Sequence, residues 1–312
     1  MIFMSSPASS VIHIASAAAA AMLLLAGLAF HAGRGGDQAS MDASPALPAA
    51  SAVLADAPLP ETFQTPVDYL LAPGIRPEPA PAWVADRPML AVIIDDIGLD
   101  PQAAGALMEL GVPLTLSILP FAADAPAISQ AAAEVGLEVF LHMPMEPVGL
   151  DDPGPNALLR NHSSAEMARR MAWALARVPV AVGFNNHMGS AITADQAAMA
   201  RFFAGLEGSG LVFVDSLTHP QSVAGRAAAS AGLQSLRRDV FLDHVRTPAA
   251  VDAAIEEALH RARQNGSAIA IGHPHPATLA ALQSLGERAE AAGVELVTVS
   301  QIAQAHARQQ AS

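Results

Sequence analysis

The sequence predicts an α/β fold, a distorted (β/α) barrel of seven to eight units. Three observations lead to this prediction. From Arg87 onward, short apolar runs alternate with helical patterns, which is the arrangement of a parallel sheet covered by helices. No Gly-x-Gly-x-x-Gly or Walker loop follows any run, which argues against the alternative architecture, an open doubly wound sheet that binds a nucleotide. Polar residues collect at the ends of the runs and not at their starts, as in (β/α) barrels.

Composition narrows the possible functions. The chain has 312 residues, of which 52% are hydrophobic, so it can bury a sizeable core. Its net charge of −13 argues against nucleic acid and anionic membrane surfaces as partners, because binding phosphates needs clustered Lys and Arg. The chain contains no Cys, which excludes disulfides, thiolate metal sites and a cysteine nucleophile.

The N-terminal segment predicts export. Residues 11–33 contain no Asp, Glu, Lys or Arg and are long enough to span a bilayer or to form the apolar region of a signal peptide. No basic residue precedes this segment and Arg34 follows it, which is the reverse of the usual charge bias. The alternatives are a misassigned start and a disordered Ala-rich tail. We expect an exported protein, either periplasmic or anchored in the inner membrane and facing the periplasm.

Three regions follow from this pattern. Residues 1–33 are the predicted signal peptide or membrane anchor. Residues 34–87 are rich in Pro and Ala without a sustained period, which is typical of an extended linker. Residues 88–312 carry the alternating pattern and form the predicted barrel domain.

The barrel domain contains eight strand-like runs with helix signals between most of them. The runs cover residues 89–94, 114–119, 137–141, 180–184, 211–214, 240–242, 268–271 and 294–299. Helix start signals lie at residues 163–166, 193–196 and 247–248, and further helices are expected over 98–110 and 276–286. Six glycines each lie between a predicted helix and the next strand, where the residue after the helix often adopts a left-handed backbone conformation. They are Gly111, Gly136, Gly210, Gly232, Gly266 and Gly293.

The ends of these runs carry the residues capable of chemistry. They are Asp95, Asp96, His142, Asn185, Asn186, His187, Asp215, Ser216, Asp243, His244, His273 and His275. One carboxylate with two imidazoles suits a Zn²⁺-like ion that keeps an open position, so Asp96, His142 and His187 are the predicted ligands. Asp95 is then the candidate general base. The alternative is that one Asp caps the helix over 98–110 and the other faces solvent.

The remaining polar positions receive less specific roles. Glu146 is interpreted first as a residue that orients His142, then as a substrate contact, then as a ligand. Asn185 and Asn186 lie in a Gly-bounded stretch that suits either ligand contact or a plain turn.

The polar residues after the later runs are interpreted in the same way. His273, between glycine and proline, is the candidate general acid, with capping of the helix over 276–286 as the alternative. Asp215, Asp243 and His275 are expected to contact substrate or to support the site. No Gly-x-Ser-x-Gly elbow supports a serine hydrolase.

These motifs together resemble the divergent polysaccharide deacetylase family. The resemblance runs from about residue 90 to residue 302 and rests on six ordered motifs. They are the segments 93–98, 142–147, 183–190, 213–216, 238–243 and 271–274. The resemblance implies a distorted (β/α) barrel in which Asp95 is the base, Asp96 a metal ligand and His273 the acid.

Two positions depart from the familiar deacetylase pattern. Glu146 stands where the better-understood deacetylases have a second metal-binding His, and His187 is the candidate replacement. The Arg that orients the catalytic Asp in those enzymes has Arg238 as its nearest candidate here.

The resemblance implies a metal-dependent hydrolase of carbohydrate metabolism. It would remove acetyl groups from an N- or O-acetylated polysaccharide of the cell envelope, with zinc as the expected cofactor. The expected partner is an acylated glycan or a peptidoglycan-type polymer, and no protein partner can be inferred. The alternative is a catalytically degenerate barrel that binds glycan or an envelope partner.

Overall fold

The computed structural model describes residues 87–311. In this part of the chain the strands are β1 (Met89–Ile97), β2 (Thr115–Ile118), β3 (Glu138–Met145), β4 (Gly183–Met188), β5 (Val212–Asp215), β6 (Gln234–Arg237), β7 (Val240–Phe241), β8 (Ser267–Gly272) and β9 (Glu295–Val297). The helices are α1 (Pro101–Met108), α2 (Ala125–Glu134), α3 (Ser164–Arg177), α4 (Gln196–Ala204), α5 (Ala224–Ser230), α6 (Pro248–Asn265), α7 (Pro276–Leu282), α8 (Leu285–Ala291) and α9 (Val299–Ala311).

The strands form one parallel sheet, which confirms the predicted fold class. Its order is β6-β5-β4-β3-β2-β1-β8-β7, and β9 pairs with the start of β1. The sequence runs did not include β6, because this strand is polar and only partly buried and therefore carries no apolar run. The run predicted over 180–184 was placed too early, since β4 begins at Gly183.

A short segment around β6 and β7 joins the two edges of the sheet. β6 pairs with β5, whereas β7 pairs with β8. Between these strands, the Arg238 amide donates to the Asp215 carbonyl at 3.0 Å and the Asp239 amide donates to the Ile269 carbonyl at 2.8 Å. The chain thus passes from one edge to the other within a few residues, and the sheet curves into a distorted barrel.

Side-chain alternation along β1 separates two cores. Leu90 and Val92 point outward into the large core between the sheet and its helices. Ala91 and Ile93 point inward, where they pack with Ile302 of α9. Both faces of the strand are therefore buried, as the uninterrupted apolar run predicted.

Several predicted helix ends are confirmed and two are corrected. Ser163 and Thr247 accept amide hydrogen bonds as N-caps. The helix start predicted at residues 193–196 was placed too early, since Asp195 and not Thr193 caps α4. Asp100 caps α1, so neither carboxylate of the Asp95–Asp96 pair has the capping role that was the alternative. The six glycines expected at helix ends all have positive φ.

Within residues 87–311, no helix combines the length and apolar character needed to cross a bilayer. The predicted export segment over 11–33 and nearly all of the predicted linker over 34–87 lie outside the described residues.

A carboxylate at the start of β3 ties the C-terminal helix to the sheet. Glu138 Oε1 accepts from the Thr115 hydroxyl at 2.8 Å and from the Val299 amide at 2.9 Å, and Oε2 accepts from the Ser300 amide at 3.2 Å. The first amides of α9 thus receive the partners that a helix start lacks. Burial raises the pKa of Glu138, and hydrogen bonds from Ser300 and Thr115 only partly oppose this rise.

Replacing Glu138 with Ala should destabilise the domain by about 1–3 kcal/mol, because the first α9 amides lose their acceptor. Urea unfolding followed by circular dichroism measures this change. Glu134→Ala is the matched control, because Glu134 is exposed at the end of α2 and its loss should stay within about 0.5 kcal/mol. Equal midpoints for the two variants would contradict the capping role.

Candidate metal centre

The end of β1 departs from regular strand geometry. Successive strand residues point to opposite faces, so two neighbouring carboxylates would normally diverge. Ile94 of β1 pairs with Leu116 of β2, and the next pair is Ile97 with Ile118. Between these two pairs β1 has one residue more than β2, which indicates a bulge. Asp96 also has φ of 59°, in the left-handed region. This backbone turns the Asp96 side chain toward the side that Asp95 already faces.

Both carboxylates consequently approach one imidazole. Asp95 Oδ1 lies 3.6 Å from His142 Nδ1, and Asp96 Oδ1 lies 3.3 Å from His142 Nε2. Asp95 and His142 are almost fully buried, at 3% and 2% exposure. The two carboxylates therefore lie beside different nitrogens of the His142 ring.

Asp96, His142 and His187 come together as predicted. Asp96 Oδ1 is also 3.0 Å from His187 Nδ1, and one ligand atom from each of the three residues lies within 4.8 Å of the others. Asp96 Oδ1 is buried and makes no hydrogen bond of acceptable geometry, despite these two nearby nitrogens. Ligand atoms at 2.0–2.2 Å from a tetrahedral ion lie roughly 3.4 Å apart, close to the spacing here. The donor set fits a Zn²⁺-like ion.

The surroundings favour the ionised form of Asp96. Burial raises the pKa of its carboxyl, but the neighbouring imidazoles of His142 and His187 lower it more, and the pKa lies well below its usual range. For His142, burial lowers the pKa, but the carboxylates of Asp95 and Asp96 raise it by a larger amount, and the net pKa lies above its usual value.

Asn185 sets which nitrogen of His142 carries a proton. Its amide nitrogen donates to Asp95 Oδ1 at 2.8 Å and to the Ser216 hydroxyl at 3.1 Å. Its amide oxygen therefore faces the other way, where it accepts from the Ser117 hydroxyl and from His142 Nδ1, the latter at 2.8 Å. With its proton on Nδ1, His142 presents the Nε2 lone pair to Asp96, as a metal ligand must.

His273 is oriented by Asp243. Oδ2 of Asp243 accepts from the His273 amide at 2.6 Å and from the Thr278 hydroxyl at 2.9 Å, and Oδ1 lies 3.0 Å from His273 Nδ1. His273 Nε2 then faces Asp96 Oδ2 at 3.8 Å. Burial lowers the pKa of His273, but the nearby carboxylates of Asp243, Asp95 and Asp96 raise it by a larger amount. The net pKa lies above its usual value.

The alternative role for His273, capping of the next helix, does not occur. α7 begins at Pro276 and its N-cap residue is His275, whose side chain makes no capping hydrogen bond. His275 Nε2 is buried without a partner in the described part of the chain.

Glu146 lies outside the group of metal-ligating side chains. Its carboxylate accepts from Arg160, at 2.6 Å from the amide and at 2.9 Å from Nη2. This ion pair with Arg160 lowers the pKa of Glu146, although partial burial raises it. Asn185, and not Glu146, makes the hydrogen bond that orients His142.

Asn186 and Asp215 support the loops beyond β4 and β5. Asn186 Nδ2 donates to the Met188 carbonyl at 2.7 Å, and its Oδ1 accepts from the Ser216 amide at 2.9 Å. Asp215 accepts from the Leu217 amide at 2.9 Å. Met188 and Leu217 both have positive φ, so these side-chain contacts hold unusual backbone in place.

Arg238, the candidate for the Arg of the deacetylase pattern, makes no hydrogen bond to Asp95 among the described contacts. Its guanidinium donates to the carbonyls of Ser216 at 2.8 Å and Leu217 at 3.1 Å, and it packs over the Phe241 ring at 4.9 Å. Among the described contacts, the hydrogen bond to Asp95 comes from Asn185.

Sequence reasoning missed Ser117 and Thr278, which complete the hydrogen bonds around Asn185 and Asp243. Ser117 did carry a signal, because it and Thr115 are the two polar residues inside the mostly apolar run 114–119.

Comparison with known proteins gives a consistent picture. The profile of the family described as divergent polysaccharide deacetylase matches residues 92–303. An uncharacterized protein of Haemophilus influenzae is 40% identical over 195 residues, which cover 62% of this chain and 70% of that protein. The uncharacterized protein YibQ of Escherichia coli K12 is 38% identical over 196 residues, covering 63% of this chain and 61% of YibQ.

Two solved structures share the fold. An uncharacterized protein from Agrobacterium tumefaciens C58 has a TM-score of 0.68 at 24% identity, covering 78% of this chain and 98% of that one. A putative cellobiose-phosphate cleavage protein from Enterococcus faecalis V583 has a TM-score of 0.52 at 12% identity, covering 69% and 99%. At these identities the likeness concerns the fold alone.

The adjacent Asn residues provide a matched test of the site. Asn185→Ala should weaken Zn²⁺ binding by about 10–100-fold, because His142 loses the contact that fixes its tautomer. It should also lower stability by about 2–4 kcal/mol, since Asp95 and His142 lose buried partners. Asn186→Ala should leave Zn²⁺ affinity within a few-fold. Isothermal titration and urea unfolding measure both quantities, and equal affinities in the two variants would contradict this assignment.

The left-handed backbone at Asp96 gives a second test. Asp96→Gly should be more stable than Asp96→Ala by about 0.5–1 kcal/mol in EDTA, because Ala is strained at positive φ. At exposed Ala253 in the middle of α6 the order should reverse, with Ala253→Gly losing about 1 kcal/mol. Chemical denaturation measures these differences. A more stable Ala at position 96 would show that the backbone there is not left-handed.

Proposed function

The chain belongs to the divergent polysaccharide deacetylase family, and from this premise we propose that it is a metal-dependent hydrolase that deacetylates an N- or O-acetylated polysaccharide of the cell envelope. One observation carries the proposal. Asp96, His142 and His187 converge on one point beside the His273–Asp243 pair, all at the edge of the sheet where the strands end. This edge is where (β/α) barrels place their chemistry.

The proposed cofactor is a divalent ion, with Zn²⁺ the best match to one carboxylate and two imidazoles. Asp96, His142 and His187 would hold it. When bound, the ion supplies Lewis acidity toward an acyl carbonyl and toward water.

Asp95 is the proposed general base. It is buried beside His142 and held by the Asn185 amide, so its carboxylate has a fixed position in the site. In the proposed reaction, Asp95 takes a proton from the water molecule that adds to the acyl carbon.

His273 is the proposed general acid. Asp243 holds its Nδ1, which leaves Nε2 directed toward the group of metal-ligating side chains. Nε2 gives its proton to the nitrogen or oxygen of the sugar as the bond to the acyl carbon breaks. The products are acetate and a free amino or hydroxyl group on the glycan.

A groove beside the Glu146–Arg160 pair suits a polymer. It has a volume of about 390 Å³ and is formed by the loop after β3, with Val148, Leu150 and the Glu146–Arg160 pair among its lining residues. We propose that it holds a part of an acylated glycan or peptidoglycan-type polymer beyond the reacting sugar.

The proposed location is the periplasm or the periplasmic face of the inner membrane. The support is the uncharged apolar segment over residues 11–33 together with the Pro-rich segment that follows it. Acetylated envelope polymers are accessible to a domain on that side.

A second candidate function is a catalytically degenerate barrel that binds glycan or an envelope partner. One observation favours it. Glu146 occupies the position where the better-understood deacetylases have a metal-binding His, and it forms an ion pair with Arg160. This function predicts tight glycan binding without acetate release.

Acetate release from Zn²⁺-loaded protein tests the proposal on peptidoglycan, chitin-like and acetylated exopolysaccharide substrates. Asp95→Asn and His273→Gln should each lower kcat by about 10²–10⁴-fold with the metal at Asp96 retained, because each removes one proton-transfer group. Asp96→Ala and His142→Ala should lose the metal and the activity while remaining folded.

His260→Ala is the control, because His260 is exposed on α6, and it should match the wild type. Full activity in Asp96→Ala would exclude the proposed mechanism. Glycan binding without acetate release, unchanged in Asp95→Asn, would establish the second candidate instead.

A further inference from the structure

A second group of metal-ligating side chains lies next to the proposed centre. Asp243, His273 and His275 each offer one ligand atom, and these atoms lie within 4.8 Å of one another. The proposed reaction uses His273 and its partner Asp243 but gives no role to His275.

Burial of one ring nitrogen and a rigid backbone suit His275 to act as a metal ligand. Its Nε2 is buried and has no partner in the described part of the chain. Pro274 and Pro276 flank it, and its amide donates to the His273 carbonyl at 2.7 Å, so the backbone that carries both imidazoles is tightly constrained. A buried polar atom without a partner is costly, and a bound cation would remove that cost.

The distances within the group also suit an ion. Asp243 Oδ1 and His273 Nδ1 are 3.0 Å apart, and the rings of His273 and His275 lie nearly parallel with their centroids separated by 5.7 Å. Two atoms that each lie 2.0–2.2 Å from one cation have roughly this O–N separation.

We propose that Asp243, His273 and His275 form a second divalent-cation site, separate from the centre formed by Asp96, His142 and His187. Two imidazoles and one carboxylate select Zn²⁺ over Mg²⁺ or Ca²⁺, which prefer oxygen ligands.

The second cation competes with a proton. His273 Nδ1 carries a proton in its hydrogen bond to Asp243, and binding of the cation at Nδ1 releases that proton to solvent. One proton therefore leaves as one divalent cation binds. The Asp243–His273 hydrogen bond is replaced by two bonds to the cation, one from each residue.

The imidazole of His273 lies between the two sites. Its Nδ1 belongs to the second site, while its Nε2 lies 3.8 Å from Asp96 Oδ2 of the first. A cation at the first centre and a cation at the second repel each other across this ring, so the second Zn²⁺ binds more weakly than the first. If His273 is the general acid, as in the proposed function, excess Zn²⁺ inhibits the enzyme by occupying the nitrogen that Asp243 otherwise orients.

Equilibrium dialysis of tag-free full-length protein against Zn²⁺, followed by elemental analysis, tests the second site. The wild type should bind two equivalents, and His275→Ala should bind one, having lost the weaker. Asp96→Ala should lose the tighter equivalent and keep the other. His244→Ala is the control, because His244 is exposed beside Asp243, and it should keep two.

A single equivalent in the wild type, or two in His275→Ala, would overturn the proposal. The remaining tight equivalent in His275→Ala reports that this variant is folded. Stoichiometry requires no substrate, so failure of the second site and failure of the deacetylase proposal are distinguishable. Where acetate release is measured, excess Zn²⁺ should inhibit the wild type but not His275→Ala.

Discussion

Two consecutive residues of a strand face the same side only if the backbone leaves strand geometry, and the site depends on this constraint being met at Asp96. The bulge in β1 and the positive φ of Asp96 bring both carboxylates to the two nitrogens of His142. Asp tolerates left-handed backbone better than most residues, so the ligand itself suits the turn that it requires. Within residues 87–311, the other non-glycine residues with positive φ are Asn156 in the loop after β3, Met188 at the last position of β4 and Leu217 after β5.

The buried polar network gives the site its chemical definition. Asn185 has one amide orientation that satisfies Asp95, and this orientation fixes the proton on His142. Asp243 plays the corresponding part for His273. In each case a group outside the reacting atoms decides which nitrogen is available. Buried networks of this kind are stable only when every member has its partner, and Ser117 and Thr278 complete the two sets.

The fold was largely predictable because apolar runs mark buried strands, and the clustering of Asp96, His142 and His187 followed from the ends of those runs. Other features left no such trace. β6 is polar and half exposed, so periodicity could not reveal it. The orienting role of Asn185 depends on a side chain 90 residues away in sequence, which no local pattern encodes. Glu146 was expected first to orient His142, whereas Asn185 makes that contact and Arg160 forms an ion pair with Glu146 across the loop.

The position of β1 in the sheet bears on how the protein is made. β1 is the first strand of the described residues, yet it pairs with β8 and β9, which are the last two. The long sequence separation of these contacts delays completion of the sheet until the segment that forms β8 and β9 has been synthesised. Asp96, His142 and His187 lie within the first 100 residues of the domain, but β1 has neighbours on both sides only once β8 has paired with it. A chain that stops before β8 therefore leaves β1, with Asp95 and Asp96 near its end, at an open edge of the sheet.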